Sequence, residues 1–137
     1  MTDSVVSGYE GVKYITNATT TPKGLFLHYS SGGFFAIKDG ATNSAYTPSA
    51  GKKFIVLKIS WACLNNTSGG LLIYDHNVAD ASGGTQCYGY AYTTQAGNVM
   101  MQNDMFYHEL AAGQYLNVQN YGTNAVSVSV FGVEMDV

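Results

Sequence analysis

The chain reads as an all-β protein, a jelly-roll β-sandwich of about eight to nine antiparallel strands, and three observations predict it. Apolar residues recur with a period of two in stretch after stretch, the spacing that puts alternate side chains on one face of a strand. Glycine, asparagine and serine break the chain between those stretches. Helical signals are nearly absent: the best candidate, Glu109-Leu110-Ala111-Ala112, is stopped at once by Gly113. At 137 residues the chain fits one domain. A domain of this length buries roughly two-thirds of the surface its unfolded form exposes, so it needs no metal or disulfide to fold.

Taken in order, residues 1–8 are expected to form a polar N-terminal arm and residues 9–137 a single jelly-roll domain. The expected strands are Tyr9–Thr16, Gly24–Tyr29, Gly33–Lys38, Lys53–Leu64, Leu71–Asp75, Thr85–Thr93, Val99–Phe106, Tyr115–Tyr121 and Ala125–Val137. Leu25, Leu27 and Tyr29 alternate before Ser30-Ser31-Gly32, and Phe34-Phe35-Ala36-Ile37 follows, which predicts a hairpin. In the longest strand Ile55, Leu57, Ile59, Trp61 and Cys63 are expected on one face, with Phe54, Val56, Lys58 and Ser60 on the other. Asn65-Asn66-Thr67-Ser68-Gly69-Gly70 reads as a loop. Tyr88, Tyr90 and Tyr92 alternate with Cys87, Gly89 and Ala91, a large/small strand that another backbone can approach closely. Leu116 and Val118 alternate before the turn at Tyr121-Gly122-Thr123-Asn124. Val126, Val128 and Val130 then face one way before the pattern flips to Phe131, Val133 and Met135. Such a flip predicts a bulge, or a strand passing from core to interface, with Gly132 the cheapest place for it. Cys63 and Cys87, each among apolar neighbours, read as reduced core residues.

Charge narrows the partners. Only 11% of residues are charged, against roughly 25% in an average domain. All six basic residues are lysine, and the formal net charge is −3. Nucleic-acid recognition depends on cation–phosphate contacts and arginine forks, so nucleic acid is not expected as a partner. Anionic membrane surfaces are disfavoured for the same reason. The polarity lies instead in hydroxyls and amides, which cost less than ions to bury against another protein. Met1-Thr2-Asp3-Ser4 does not resemble the start of a signal peptide, and the longest apolar run, Phe54 to Leu57, is far short of a membrane span. A cytoplasmic site of synthesis is expected, and the glycosylation sequons at Asn17, Asn65 and Asn66 are read as turn composition.

The groups that catalysis assembles are missing from the pattern. His28, His76 and His108 belong to no spacing that places two ligands on one metal, as a cupin would require. His108 and Glu109 fall on opposite faces of an extended segment. Asp75-His76-Asn77-Val78-Ala79-Asp80 could offer oxygens to calcium, but it lacks the EF-hand spacing and reads as turn chemistry. No nucleophile elbow, phosphate loop or dinucleotide fingerprint occurs. The chain is therefore expected to be no enzyme and to use no cofactor or metal. Of its eleven tyrosines, Tyr88, Tyr90 and Tyr92 are the candidate binding residues, either as an interface or glycan platform or as the filling of one sheet face.

The stretch from Phe106 to Val137 combines a Leu110-Ala111-Ala112-Gly113 corner, the amphipathic Tyr115–Val118 strand, the Asn120–Asn124 turn and a valine ladder closing in Gly132-Val133-Glu134. It resembles the end of small jelly-roll virion proteins of tailed bacteriophages, of the capsid decoration (cement) and fibre-head types. A looser likeness extends to trimeric jelly rolls of the C1q and tumour-necrosis-factor type. The resemblance implies a homotrimer in the virion, bound to the major capsid protein and assembled in the host cytoplasm, with the N-terminal arm reaching onto the shell. The alternative it implies is a receptor- or glycan-binding head domain of a virion fibre.

Overall fold

A computed structural model describes residues 4–9, 12–16, 21–29, 33–64, 69–92, 99–120 and 125–137. Ser4–Tyr9 (β1) and Val12–Thr16 (β2) pair as a two-stranded antiparallel sheet. The remaining strands are Thr21–Tyr29 (β3), Phe34–Ala36 (β4), Lys38–Asp39 (β5), Lys52–Leu64 (β6), Gly69–His76 (β7), Thr85–Tyr92 (β8), Val99–Ala111 (β9), Tyr115–Asn120 (β10) and Val126–Asp136 (β11). They form a four-stranded sheet in the order β4-β10-β7-β8 and a five-stranded sheet in the order β5-β3-β11-β6-β9. Every pairing is antiparallel. The chain is a jelly-roll β-sandwich, as its alternation predicts.

One core lies between the two sheets. The four-stranded sheet contributes Leu71, Ile73, Leu116 and Val118, and the five-stranded sheet contributes Leu25, Leu27, Ile59, Trp61, Val126, Val128 and Val130, all buried. Burial of side chains of this size contributes about 1.5–3 kcal/mol each before conformational entropy is set against it. Cys63 and Cys87 are both free thiols, Cys63 buried and Cys87 half-buried.

Four local expectations are corrected. The hairpin expected between Leu25 and Ile37 does not form: β3 pairs with β11 and β5, whereas β4 pairs with β10 in the other sheet. Leu25 and Leu27 are covered only if β3 and β4 lie on opposite sides of the core, so the intervening chain crosses between sheets. It crosses back at once: buried Ile37 donates to the Leu116 carbonyl at 2.9 Å, and β5 rejoins β3. The strand expected over Val99–Phe106 runs on to Ala111, so Glu109–Ala112 is the end of β9 and the start of a turn through Gly113 (φ 80°), where the Gln114 amide donates to the Ala111 carbonyl at 3.1 Å.

The third correction concerns β6, where Phe54 and Val56 are buried, Leu57 and Lys58 are both exposed, and Ile59, Trp61 and Cys63 are buried. Its pairing with β11 slips by one residue at Leu57, since Lys58 faces Phe131 and Val56 faces Gly132. The extra residue turns the strand over, so Phe54 and Val56 join the core that Ile55 and Leu57 were expected to fill. The fourth follows from it. β11 pairs with β3 without a break, and Phe131 points outward while Gly132 points in. Gly132 is a place of close approach: a Cβ there would stand 2.1 Å from the Ile55 carbonyl oxygen and 2.8 Å from the Phe54 ring.

Candidate functional site

Two of the three predicted tyrosines turn inward. Tyr88 and Tyr90 are half-buried and pack against the core from β8. The Trp61 indole N–H donates to the Tyr88 hydroxyl at 2.9 Å, and that hydroxyl donates to Asp104 Oδ2 at 2.5 Å. Gln102 donates to the other Asp104 oxygen at 2.8 Å. Tyr90 meets Trp61 edge to face at 5.3 Å, and Tyr88 meets Phe106 at the same separation. Burial and the Asp104 carboxylate hold the Tyr88 phenol well above its ordinary range, while the Tyr88 and Gln102 donors hold Asp104 below the usual carboxylate range. The Tyr88 ring and its hydroxyl are thus both engaged, and they tie β8 to β6 and β9. The side chain of Tyr92 lies outside the described residues.

The ionisable residues do not converge. His108 faces inward and pairs with Asp75 at 2.7 Å, while Glu109 faces out to Lys53 at 2.8 Å. Among the described residues, no three His, Cys, Asp or Glu side chains come together as a metal site. The Asp75–Asp80 cluster is dispersed into structural roles. The Val78 amide donates to His76 Nδ1 at 2.8 Å, and Asp80 Oδ1 accepts the Ala36 amide at 2.8 Å. Buried Asn117 holds the same loop by donating to the Val78 and Ala81 carbonyls at 2.9 and 3.0 Å. Cys87 donates to the Ile73 carbonyl, and burial, with the nearby Asp75 charge, pushes its thiol up to about 12. A thiol protonated to that degree is not a nucleophile at neutral pH.

What the fold leaves uncovered is the outward face of the five-stranded sheet. Phe26 (49% exposed), Phe131 (44%), Met101 (71%), Met105 (89%) and Tyr107 (70%) all stand on it. The register sets Phe26, Ser129, Ser60 and Asn103 in one row across four strands, and Phe131, Lys58 and Met105 in the next. Ser60 is hydrogen-bonded to Asn103, and His28 to Ser127 at 2.7 Å. The charges in these two rows are Lys58 and, beside Phe26 on β5, Lys38. A shallow hollow of about 150 Å³ opens between Ser60, Ala62, Met101, Asn103, Ser127 and Ser129. β9, thirteen residues long, borders the face as a sheet edge. A long, partly apolar edge is a template for pairing or packing with another chain.

Sequence reasoning missed this face because it sought aromatic residues in series. The available signal was parity: Met101 and Met105 occupy the opposite parity from Phe106 and Leu110, so β9 is apolar on both sides. A strand of that kind is covered twice.

No protein-family model matches the chain, and no curated protein matches it in sequence. Among solved structures, the chain is similar to the Eiger tumour-necrosis-factor protein of S. frugiperda. The alignment has a TM-score of 0.53 and 11% sequence identity, covering 87% of this chain and 93% of that one. At that identity the likeness is one of fold: a jelly roll like that of the tumour necrosis factors.

Proposed function

We propose that the chain is a non-catalytic structural protein that assembles as a homotrimer and decorates a bacteriophage capsid by binding the major capsid protein. The observation that carries the self-association is the outward face of the five-stranded sheet, with its exposed Phe26, Phe131, Met101, Met105 and Tyr107. Copies that each carry a net charge of −3 repel one another. They meet most favourably where acid is absent, and the two central rows of this face hold serines, asparagine, apolar side chains and two lysines, Lys38 and Lys58. The virion setting is supported by the resemblance of Phe106–Val137 to small phage jelly rolls. A decoration protein needs a rigid body and an adhesive surface, and stabilises the particle by binding only its assembled state.

The test has two parts. Light scattering on the purified chain is expected to give three times its 14.6 kDa mass. Quantitative mass spectrometry of purified particles is expected to find copies in proportion to the major shell protein. A monomer in solution overturns the self-association. A few copies per particle favours a fibre position, and none overturns the virion assignment.

A further inference from the structure

The lysines of the chain fall into two groups. Lys23, Lys52 and Lys53 pair with Asp39, Asp136 and Glu109 at 2.9, 2.6 and 2.8 Å. Lys38 and Lys58 pair with no carboxylate among the described residues, and both stand on the outward face of the five-stranded sheet. Lys38 lies at its β5 edge. Lys58 lies further in, on β6, with Phe131 of β11 on one side and Met105 of β9 on the other.

We propose that Lys58 is the centre of a binding site for a small inorganic oxyanion, of the phosphate or sulfate class, taken up when copies of the chain meet on this face. The inference rests on the self-association proposed above and supplies its counter-ion.

Position makes the case. Phe131 and Met105 are both exposed, so they gain from being covered. Lys58 faces both in register, and a copy that covers the two covers the lysine between them. An ammonium taken out of water without a counter-charge is strongly unfavourable. Among the described residues no carboxylate is left for it. Beyond the three already held by lysine, Asp75 pairs with His108, and Asp104 accepts from Tyr88 and Gln102. Glu134 accepts from Tyr46, and Asp80 accepts from the Ala36 amide. Glu109 shares the outward face but is taken by Lys53. A second copy brings another Lys58 and the same engaged acids, so the neutralising charge comes from solution.

The surroundings favour an oxyanion over a halide. The adjoining row carries Ser129, which is exposed, and Ser60. A tetrahedral oxyanion presents several acceptor oxygens, enough to take the ammonium groups of two copies together with a serine hydroxyl. Once Phe131 and Met105 are covered, water is excluded around the pair, which strengthens the attraction.

The test is light scattering of the full chain over a dilution series, in sodium phosphate and in sodium chloride at matched pH and ionic strength. The concentration at which the assembly half-dissociates is expected to be about tenfold lower in phosphate. Lys58→Met keeps a long unbranched side chain at an exposed position, so it folds. It is expected to assemble in chloride as tightly as the parent does in phosphate, and to show no difference between the two salts. Equal values for the parent in both salts overturn the anion site and leave the self-association standing. A phosphate effect that persists undiminished in Lys58→Met also overturns the site, because phosphate strengthens apolar burial in general by its exclusion from protein surfaces. If parent and variant are both monomeric in both salts, the self-association itself is overturned and the anion site falls with it.

Discussion

The two faces of the five-stranded sheet are built from the same strands and have opposite fates. Inward, Leu25, Leu27, Val126, Val128, Val130, Ile59 and Trp61 vanish into one core against the four-stranded sheet. Outward, Phe26, Phe131, Met101, Met105 and Tyr107 stand exposed in a field of serine and asparagine. Both faces are apolar enough to be covered, but the four-stranded sheet covers only the inward one. The comparison teaches that hydrophobicity in a strand reports a demand for burial, and that the fold decides whether the chain itself meets it.

The largest effects are expected inside. Ile59→Ala removes a fully buried side chain from the middle of β6 and should destabilise the fold by about 2–5 kcal/mol, read as a lower midpoint in urea with an unchanged slope. Gly132→Ala drives a methyl group into the Ile55 carbonyl and the Phe54 ring. Backbone cannot rotate away as a side chain can, so a loss of about 3 kcal/mol is expected in the same measurement. If Gly132→Ala is neutral, the close packing of β11 on β6 at the bulge is wrong.

Outside, the same kind of change should leave stability nearly untouched. Met105→Lys with Phe131→Lys is expected to shift the urea midpoint by the equivalent of about 0.5 kcal/mol or less while reducing the assembly to a monomer in light scattering. A variant that unfolds would mean the outward face is part of the core. A variant that stays trimeric would move the interface elsewhere.

The smallest effect lies at the seam between the sheets and has a pH signature. Asp104, held low by Tyr88 and Gln102, and Asp39, held low by Lys23 and the Ala41 amide, both titrate below their unfolded value. Their contribution is therefore complete above the ordinary carboxylate range and is lost as pH falls through it. The thermal midpoint should drop between about pH 5 and pH 3, and Asp104→Asn should flatten part of that drop. An equally steep drop in Asp104→Asn would show that the Tyr88–Asp104 contact does not couple to folding.

Much of this was legible in the residues. The period-two runs marked the strands of the two sheets to within five residues, except that β4 and β5 were read as one, and Gly113 marked the turn after β9. That His108 and Glu109 point to opposite faces followed from parity alone. The exposed outward face was less legible, because its apolar residues come one or two per strand from β3, β11 and β9 and form a patch only once those strands lie side by side. Tyr88 and Tyr90 stayed open to two readings for the complementary reason: their alternation is real, but parity does not say which side of a sheet is occupied.

The sequence by itself determined the class of structure, since alternation and glycine punctuation act between near neighbours and set strand and turn without reference to the rest of the chain. Pairing was decided only by the tertiary structure. Leu25–Leu27 and Phe34–Ala36 went to opposite sheets because both needed the core between them, and Leu57 was extruded because Gly132 let two backbones close up beside it. A polar cleft joins Lys23, Asp39, Thr47 and Glu134, separated by up to 111 positions, through strand order alone. Such contacts arise from the burial of two sheets against each other, a long-range condition that no local pattern encodes.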